Sequence, residues 1–181
     1  MPQSFQVLPD QLQDVAASIS LLVLDVDGVL TDGRLYFSAQ GDELKAFNIL
    51  DGHGIKMLQK QGVTVAIITG RVSPLTERRA GDLGIKHLLQ GREDKRVALE
   101  ELTAQLAIPL TQVAYMGDDL PDLGAIRAAG LGVSVPNGHW FVRQHAHWCT
   151  RSKGGEGAVR ELADQLLAAR GVLDDSLERY L

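Results

Sequence analysis

The residues with the clearest chemical potential are two aspartates, Asp25 and Asp27, that follow a short aliphatic run. The run Leu21-Leu22-Val23-Leu24 predicts a buried strand of a parallel sheet, because such strands are apolar on both faces. Gly28 then lets the chain turn, and in open α/β sheets ligands bind beyond the carboxyl ends of the strands. One carboxylate there can attack as a nucleophile while its neighbour transfers protons. The alternative is an aspartate-rich turn without chemistry.

A second apolar run, over 63–68, ends at Thr69-Gly70-Arg71. The threonine hydroxyl is a hydrogen-bond donor suited to a phosphoryl oxygen, and the arginine guanidinium matches phosphate or carboxylate. The same stretch also fits a helix N-cap region, because Ser73-Pro74 is a typical helix start, and the two interpretations are compatible. Lys95, by its sequence context alone, is an ordinary solvated helix lysine.

A third apolar run, over 113–116, ends at Asp118 and Asp119, with Asp122 three residues later. Carboxylates clustered on a turn suit a hard divalent cation, and Mg²⁺ is typically bound by one or two carboxylates together with water. Asp119 and Asp122 have two open interpretations. Either residue orients the metal ligands from behind, or it caps the helix that follows.

Composition limits the classes of function. The chain has 181 residues, a net charge of −5 and no basic block, so nucleic acid is not an indicated partner. No run approaches the roughly 20 apolar residues that span a bilayer, and no signal peptide is recognised, so no membrane association is expected. The single cysteine, Cys149, excludes an internal disulfide and fits a reducing compartment. We therefore expect a cytoplasmic protein.

Strand and helix patterns alternate along the chain, which predicts right-handed parallel crossovers in a single α/β domain over 1–181. The expected fold is a three-layer sandwich around a doubly wound parallel sheet, with a β-hairpin at about 34–48 and a C-terminal helix and tail at about 155–181. Helices are predicted at about 9–18, 52–61, 73–83, 93–107, 119–129 and 155–170, and further strands near 63–68, 86–89, 111–116, 131–134 and 147–149. Within the hairpin, 35–38 and 45–48 are the predicted strands.

The stretch Asp25-Val26-Asp27-Gly28-Val29-Leu30-Thr31 resembles the first signature of the haloacid dehalogenase-like superfamily, in its phosphatase branch. This resemblance implies a Rossmann-type fold in which Asp25 becomes a phosphoaspartate and Asp27 is the general acid and base. It also implies that Thr69 and Lys95 hold the phosphoryl group. Asp25, the main-chain carbonyl of Asp27, and Asp118 are the implied ligands of Mg²⁺.

The spacing of these motifs leaves no room for a cap domain. About forty residues separate Asp27 from Thr69, and about twenty-five separate Thr69 from Lys95. The hairpin and one helix occupy the first gap. An uncapped site must select its substrate in another way, either through a macromolecular substrate or through a neighbouring subunit.

Over about 21–167 the chain resembles the 3-deoxy-D-manno-octulosonate 8-phosphate phosphatase family, through the hairpin, the segment 45–55, the Thr69-Gly70-Arg71 and Gly117-Asp118-Asp119 motifs, and the segment 154–161. The resemblance implies Mg²⁺-dependent hydrolysis of this sugar-acid phosphate in lipopolysaccharide biosynthesis. It also implies a homotetramer whose hairpins build a central barrel, so that neighbours partly close each other's sites. A related phosphatase of nine-carbon, sialic-acid-type phosphates shares the motifs and is the main alternative.

The resemblance also implies a set of substrate-binding residues: Asp27, Asn48, Asp51, Gly52, Lys56, Arg71, Arg79 and Lys95. The chain departs from the family at two positions, because Leu50 and Lys56 stand where arginine is common. Lysine is a point charge and does not offer the bidentate fork of arginine. A structural alternative for Asp51-Gly52 is that these residues cap the next helix.

Two further alternatives belong to other functional classes. A phosphorylation-dependent signalling receiver also uses aspartate, threonine, lysine and an acidic pair on a doubly wound sheet, although there the acidic pair precedes the acceptor aspartate. A non-catalytic scaffold would keep the fold and lose the chemistry. The stretch Gly154-Gly155-x-Gly157 is a weak phosphate-loop signal, and a flexible hinge is the preferred interpretation.

Overall fold

The computed structural model describes residues 7–181 and contains one large and one small sheet. The strands are β1 (Leu21–Leu24), β2 (Tyr36–Phe37), β3 (Glu43–Leu44), β4 (Thr64–Ile68), β5 (His87–Leu89), β6 (Val113–Met116), β7 (Leu131–Ser134) and β8 (Trp148–Cys149). The helices are α1 (Asp10–Ser18), α2 (Ile49–Lys60), α3 (Pro74–Leu83), α4 (Lys95–Leu106), α5 (Leu120–Ala128), α6 (Trp140–His145), α7 (Ala158–Ala169) and α8 (Leu173–Glu178).

The large sheet is parallel and has the strand order β5-β4-β1-β6-β7-β8. Leu24, the last residue of β1, is in register with Ile67 of β4 and with Met116 of β6. The chain first builds the sheet on one side of β1 and then on the other, so the strand order reverses between β1 and β6. This is the position where open α/β sheets bind their ligands. The predicted doubly wound α/β fold is confirmed.

Alternate residues of β1 pack on opposite faces of the sheet, as strand geometry requires. Leu22 and Leu24 belong to a core formed with α1, α2 and α7, whereas Leu21 and Val23 belong to a second core formed with α4, α5 and α6. All four side chains are fully buried. Burial of each such side chain stabilises the fold by roughly 1.5–3 kcal/mol, and this explains why the strand carries no polar residue before Asp25. The predicted three layers are therefore present.

The hairpin differs from the prediction in its second strand. Tyr36 pairs with Leu44, and Phe37 pairs with Glu43, so the strand predicted over 45–48 is wrong. The reason is a tight turn, in which the Ser38 amide donates to the Asp42 carbonyl at 2.9 Å and shortens the loop. The segment from Lys45 onwards is thereby released from the hairpin and leads to α2.

Several helix and strand boundaries also differ. Helix α2 begins at Ile49 and not near residue 52, because the Asn48 side chain accepts a hydrogen bond from the Leu50 amide at 2.8 Å and caps the helix earlier. The strand predicted over 111–116 begins only at Val113, after a 3-10 turn. Helices α6 and α8 were not predicted, since each has only six residues and α6 is rich in aromatic and β-branched residues, which are weak helix formers.

The connections between the catalytic motifs are as compact as the spacing predicts. The hairpin and α2 connect β1 to β4, and α3 and β5 connect β4 to α4. Within residues 7–181, no helix has the length and apolar character that crossing a membrane would require.

Candidate active site

A cavity of about 400 Å³ lies at the carboxyl ends of β1, β4 and β6. Its lining includes every residue predicted to act on a phosphoryl group or to hold the metal, namely Asp25, Asp27, Thr69, Lys95, Asp118, Asp119 and Asp122. Arg71, which is one of the predicted substrate-binding residues, lines it as well. Three separate strand ends therefore contribute to one site.

The loop after β1 places Asp25 inside the site. The Asp25 amide donates to the Met116 carbonyl at 3.0 Å, which extends the β1–β6 ladder by one residue. Gly28 then turns the chain with a φ of 98°, in the region that favours glycine. A Cβ at this position would also overlap the Asp118 carboxylate. The turn therefore brings the loop after β1 against the carboxylate at the end of β6.

Lys95 is buried between two carboxylates. Its side chain is only 6% exposed, and its Nζ lies 2.9 Å from Asp25 Oδ1 and 2.7 Å from Asp122 Oδ1. A buried ammonium group is costly unless it is paired, and here both partners come from other elements of the fold. The interpretation of Lys95 as a solvated helix lysine is therefore wrong.

Asp122 is fully buried and accepts four hydrogen bonds. Its Oδ1 accepts from Lys95 Nζ and from the Tyr115 hydroxyl, the latter at 2.9 Å. Its Oδ2 accepts from the amides of Asp118 and Asp119, each at 3.2 Å. Asp122 thus fixes the lysine and the loop after β6 at once, which combines the orienting and capping interpretations. Sequence reasoning missed Tyr115, because a tyrosine within an apolar strand gives no signal of a polar contact.

Asp119 has a local role in the structure. Its Oδ1 accepts a hydrogen bond from the Leu120 amide at 2.8 Å, and together with Asp122 it forms a capping box at the start of α5. Of the two interpretations of Asp119, this geometry favours the cap.

Burial and mutual repulsion disfavour the ionised forms of the site's carboxyl groups, despite the presence of Lys95. Burial and the neighbouring Asp122 raise the pKa of Asp25 well above its usual range, despite the opposing effect of Lys95. Burial and Asp122 likewise raise the pKa of Asp118 to about 7. The pKa of Lys95 is raised because the attraction of Asp25 and Asp122 outweighs the effect of burial. A site with these carboxyl groups favours an added cation.

The oxygen atoms of the site fit a divalent metal ion. Asp25, Asp118 and Asp122 each offer one carboxylate oxygen, and these three atoms lie within 4.8 Å of one another. Mg²⁺ prefers hard oxygen ligands of this kind. Because Asp122 already accepts four hydrogen bonds, Asp25 and Asp118 are the more available pair.

Thr69 and Arg71 reach the cavity from the end of β4. The main chain of Thr69 is held on both sides, since its amide donates to the Leu89 carbonyl at 2.9 Å and its carbonyl accepts from the Arg92 amide at 3.0 Å. The side chain of Thr69 is buried against the cavity, whereas that of Arg71 is partly exposed at its mouth. This arrangement offers one small donor inside the site and one cation at its entrance.

Comparison with known proteins agrees with this geometry. A family described as haloacid dehalogenase-like hydrolase matches residues 82–162. The chain is 50% identical over 165 residues to the 3-deoxy-D-manno-octulosonate 8-phosphate phosphatase of Yersinia pestis, covering 91% of this chain and 88% of that protein. It is 48% identical over 161 residues to the Escherichia coli K12 enzyme of the same name, covering 89% of this chain and 86% of that protein. The chain belongs to the 3-deoxy-D-manno-octulosonate 8-phosphate phosphatase family.

Solved structures show the same relationship. The phosphatase of this name from Moraxella catarrhalis, solved in complex with a magnesium ion, a phosphate ion and a KDO molecule, superposes with a TM-score of 0.94. The two sequences are 44% identical, and the match covers 96% of this chain and all 100% of that one. A probable YrbI family phosphatase from Pseudomonas syringae is 56% identical, with a TM-score of 0.93 and coverage of 95% and 98%. Membership of this phosphatase family argues against the signalling-receiver and scaffold alternatives.

The remaining substrate residues that the family resemblance implies lie outside the cavity of this chain. They are Asn48, Asp51, Gly52, Lys56 and Arg79. The Asn48 carbonyl accepts a hydrogen bond from Arg79 at 3.1 Å, and the Arg79 guanidinium lies 5.7 Å from the centre of the Phe47 ring. A Cβ at Gly52 would overlap the Arg79 guanidinium. Asn48, Gly52 and Arg79 therefore form one packed group beside the hairpin, and their substrate contacts stay a prediction.

Asp51 caps a helix, but not the one expected. It is buried, and its Oδ1 accepts a hydrogen bond from the Arg160 amide at 2.8 Å, in the first turn of α7. The alternative that Asp51-Gly52 caps the next helix is therefore wrong about which helix is capped. Asn48 caps α2, and Asp51 caps α7, more than a hundred residues away. Of the two departures from the family, Leu50 is exposed and Lys56 is half-buried near Gly84.

The glycine-rich stretch before α7 packs on the loop after β1, which is called the catalytic loop below. The Gly155 amide donates to the Val29 carbonyl at 2.9 Å, and a Cβ at Gly154 would overlap the Gly28 carbonyl oxygen. Asn137 joins the two loops, because its side chain donates to the Gly28 carbonyl at 3.0 Å and accepts from the Gly154 amide at 2.8 Å. These contacts favour a different role for the glycines from the hinge interpretation, because the glycines permit a close approach of two main chains.

We expect Gly154→Ala to disturb the catalytic loop. The added methyl group has no space against Gly28, so the free energy of unfolding should fall by about 1–3 kcal/mol and phosphate release should fall by at least about tenfold. Urea denaturation and a phosphate-release assay measure the two effects. Gly81→Ala is the matched control, since a Cβ at Gly81 meets no atom within 4 Å. Wild-type stability and activity in Gly154→Ala would contradict the close packing.

Proposed function

We propose that this protein hydrolyses 3-deoxy-D-manno-octulosonate 8-phosphate to the free sugar acid and phosphate, as a Mg²⁺-dependent enzyme of lipopolysaccharide biosynthesis. The observation that carries the proposal is the buried Asp25–Lys95 pair, with Asp118 beside it, at the carboxyl ends of β1 and β6. Its relatives, named for this reaction, are up to half identical to the chain over nearly its whole length. The Moraxella catarrhalis relative binds magnesium, phosphate and KDO.

In the proposed site, Asp25, Asp118 and the main-chain carbonyl of Asp27 hold Mg²⁺. When bound, the ion offsets the repulsion between the carboxylates and the phosphate dianion. The mutual repulsion among the carboxylates of Asp25, Asp118 and Asp122 supports this requirement. Asp122 supports the site from behind by holding Lys95 and the loop after β6.

Asp25 is the proposed nucleophile. Its carboxylate oxygen attacks the phosphorus in line with the sugar oxygen, and Asp27 donates a proton to that oxygen as it leaves. Thr69 and Lys95 hold the charge on the phosphoryl oxygens, and this electrostatic contribution is typical of phosphoryl transfer. Asp27 then takes a proton from water, which attacks the phosphoaspartate and restores Asp25. Arg71, which lines the cavity, is the proposed partner of the substrate's carboxylate or phosphate.

We expect Asp25→Asn to lower kcat by at least about 10³-fold, because an amide oxygen is a poor nucleophile. The fold should persist, since Lys95 keeps Asp122 as a partner. Phosphate release and thermal unfolding measure the two effects. Asp174→Asn, on the exposed face of α8, is the matched control and should retain full activity. Turnover by clean Asp25→Asn protein would contradict the assignment of the nucleophile.

Substrate identity is tested by kcat/KM over a panel with Mg²⁺. The panel holds 3-deoxy-D-manno-octulosonate 8-phosphate, a nine-carbon sialic-acid-type phosphate, glucose 6-phosphate and a nucleotide monophosphate. We expect a preference of about a hundredfold or more for the octulosonate, a difference of roughly 2.7 kcal/mol in transition-state binding. A preference for the nine-carbon substrate would support the sister activity. Equal activity on all members would contradict the substrate assignment while leaving the phosphatase chemistry intact.

We also propose that the protein is a cytoplasmic homotetramer. Leu35, Phe37 and Leu44 expose apolar side chains on the hairpin, and Phe37 is 63% exposed. Because Leu44 pairs with Tyr36 and Phe37 pairs with Glu43, Phe37 and Leu44 lie on opposite faces of the hairpin. Exposed apolar side chains on both faces support a protein–protein contact here. The packed group of Asn48, Gly52 and Arg79 lies beside the hairpin. We propose that this group contacts the substrate bound in a neighbouring subunit. The free thiol of Cys149 is compatible with the reducing cytoplasm.

Light scattering after gel filtration tests the assembly. We expect the wild-type protein to elute as four copies and Phe37→Asp to give smaller species, because a buried unpaired charge is costly in an interface. Val97→Asp is the control, since Val97 is also an exposed apolar residue but lies on α4, away from the hairpin. A wild-type monomer at every concentration would contradict the tetramer.

A further inference from the structure

Four charged side chains form a ring of alternating sign, and two of them, Asp27 and Arg71, line the cavity. They are Asp27, Lys45, Glu43 and Arg71, in that order around the ring. Lys45 Nζ contacts Asp27 Oδ1 directly and lies 3.7 Å from Glu43 Oε1. Arg71 lies 3.0 Å from Glu43 Oε1 and 3.9 Å from Asp27 Oδ2. The ring joins the loop after β1, the hairpin and the loop after β4.

Lys45 is the buried member of this ring. Its side chain is only 2% exposed, whereas that of Arg71 is 45% exposed. A surface ion pair contributes little to stability, because water screens it. A buried ammonium group, by contrast, must stay beside its carboxylate partner, because an unpaired buried charge is costly. The pair of Lys45 and Asp27 therefore has a more defined geometry than the pair of Arg71 and Asp27.

Asp27 depends on such a partner for its direction. It lies beyond the end of β1, just before Gly28, so the sheet does not fix its side chain. Among residues 7–181, the groups within ion-pair distance of its carboxylate are those of Lys45 and Arg71. General acid and base catalysis requires the carboxyl group within hydrogen-bond reach of the oxygen it serves. A misplacement of about 1 Å costs on the order of a hundredfold in rate.

We propose that Lys45 is a positioning residue, which aims the Asp27 carboxylate at the leaving oxygen and the attacking water. The segment that leads from the hairpin to α2 thereby supplies a part of the catalytic machinery. This inference rests on the proposed phosphatase function and adds to it a residue that neither the motifs nor the spacing of the sequence indicated. Lys45 exchanges no proton in this role and contacts no reacting atom.

The two half-reactions depend on Asp27 in different ways. In the first, the Asp25–phosphorus bond forms as the bond from phosphorus to the sugar oxygen breaks, and that oxygen takes the electron pair and the Asp27 proton. In the second, the oxygen of water bonds to phosphorus, Asp27 takes a proton from the water, and the electron pair of the breaking bond returns to Asp25. An aryl leaving group such as 4-nitrophenolate departs without needing a proton. With 4-nitrophenyl phosphate, only the second half-reaction should then depend on Lys45.

The test compares Lys45→Met with wild type in stopped-flow assays with 4-nitrophenyl phosphate and in steady-state assays with the sugar-acid phosphate. We expect Lys45→Met to release the first nitrophenolate within about twofold of the wild-type rate, and then to turn over about 10–100-fold more slowly. The ratio of the first-turnover rate to the steady-state rate should therefore rise by at least about tenfold. With the sugar-acid phosphate, kcat should fall by more than KM rises. Lys60→Met, exposed on α2, is the matched control and should behave as wild type.

Lys45→Arg provides a second variant that keeps a cation beside Asp27. It should recover part of the lost steady-state rate, because its charge is retained although its shape differs. A rise in KM alone, with both half-reactions unchanged, would overturn the proposal and make Lys45 a substrate contact. An equal fall in both phases, together with lowered thermal stability in both variants, would overturn it in favour of a structural role. Absence of phosphate release by the wild-type protein would instead overturn the proposed function itself.

Discussion

The ammonium group of Lys95 is buried between the carboxylates of Asp25 and Asp122. The arrangement of the active-site residues at the carboxyl ends of the strands depends on this contact. Asp25 directly follows β1, Asp122 lies in the first turn of α5, and Lys95 itself begins α4. Breaking a buried pair of this kind leaves an uncompensated charge, which is a large loss for a marginally stable domain. The contact is therefore both a source of chemistry and a constraint on the relative positions of β1, β6 and α4.

The apolar sheet and the polar edge are two consequences of the same strand geometry. Parallel strands of equal register end together, so the main-chain ladders make neighbours of residues that are far apart in sequence. Four fully buried aliphatic residues precede Asp25, and a strand of four buried residues, Val113–Met116, ends two residues before Asp118. Burial on both faces fixes the strands, and the main chain of the first residues beyond them is restrained as a result. This explains how short loops can hold charged groups within a few ångströms of one another.

The sequence allowed prediction of the site residues that lie at the ends of strands. It did not allow prediction of residues that reach the site only through a long side chain. Asp25, Thr69 and Asp118 each directly follow or closely follow a predicted strand, and the cavity brings them together. Lys45 was missed because its position depends on where a tight turn ends the hairpin pairing. Tyr115 was missed because its polar atom lies at the end of an otherwise apolar side chain.

Asp51 shows a related limit of sequence reasoning. A local capping signal was visible in the sequence, but the helix that it serves begins at Ala158. No local pattern encodes a contact over that separation, because it arises only when α2 and α7 pack side by side. The close approach at Gly54, where a Cβ would touch Ala163, shows how near these two helices lie.

The packing of the loop that contains Gly28 against the loop that contains Gly154 also determines which positions around the site tolerate substitution. A Cβ at Gly28 would overlap the Asp118 carboxylate, and a Cβ at Gly154 would overlap the Gly28 carbonyl oxygen. Substitution of either glycine should therefore disrupt the packing of the two loops and is a poor route to a changed substrate preference. Elsewhere the cavity is lined by Leu35, Arg71 and Glu93, positions that already carry side chains. Libraries that aim to redirect this scaffold towards other phosphate esters should concentrate their diversity there.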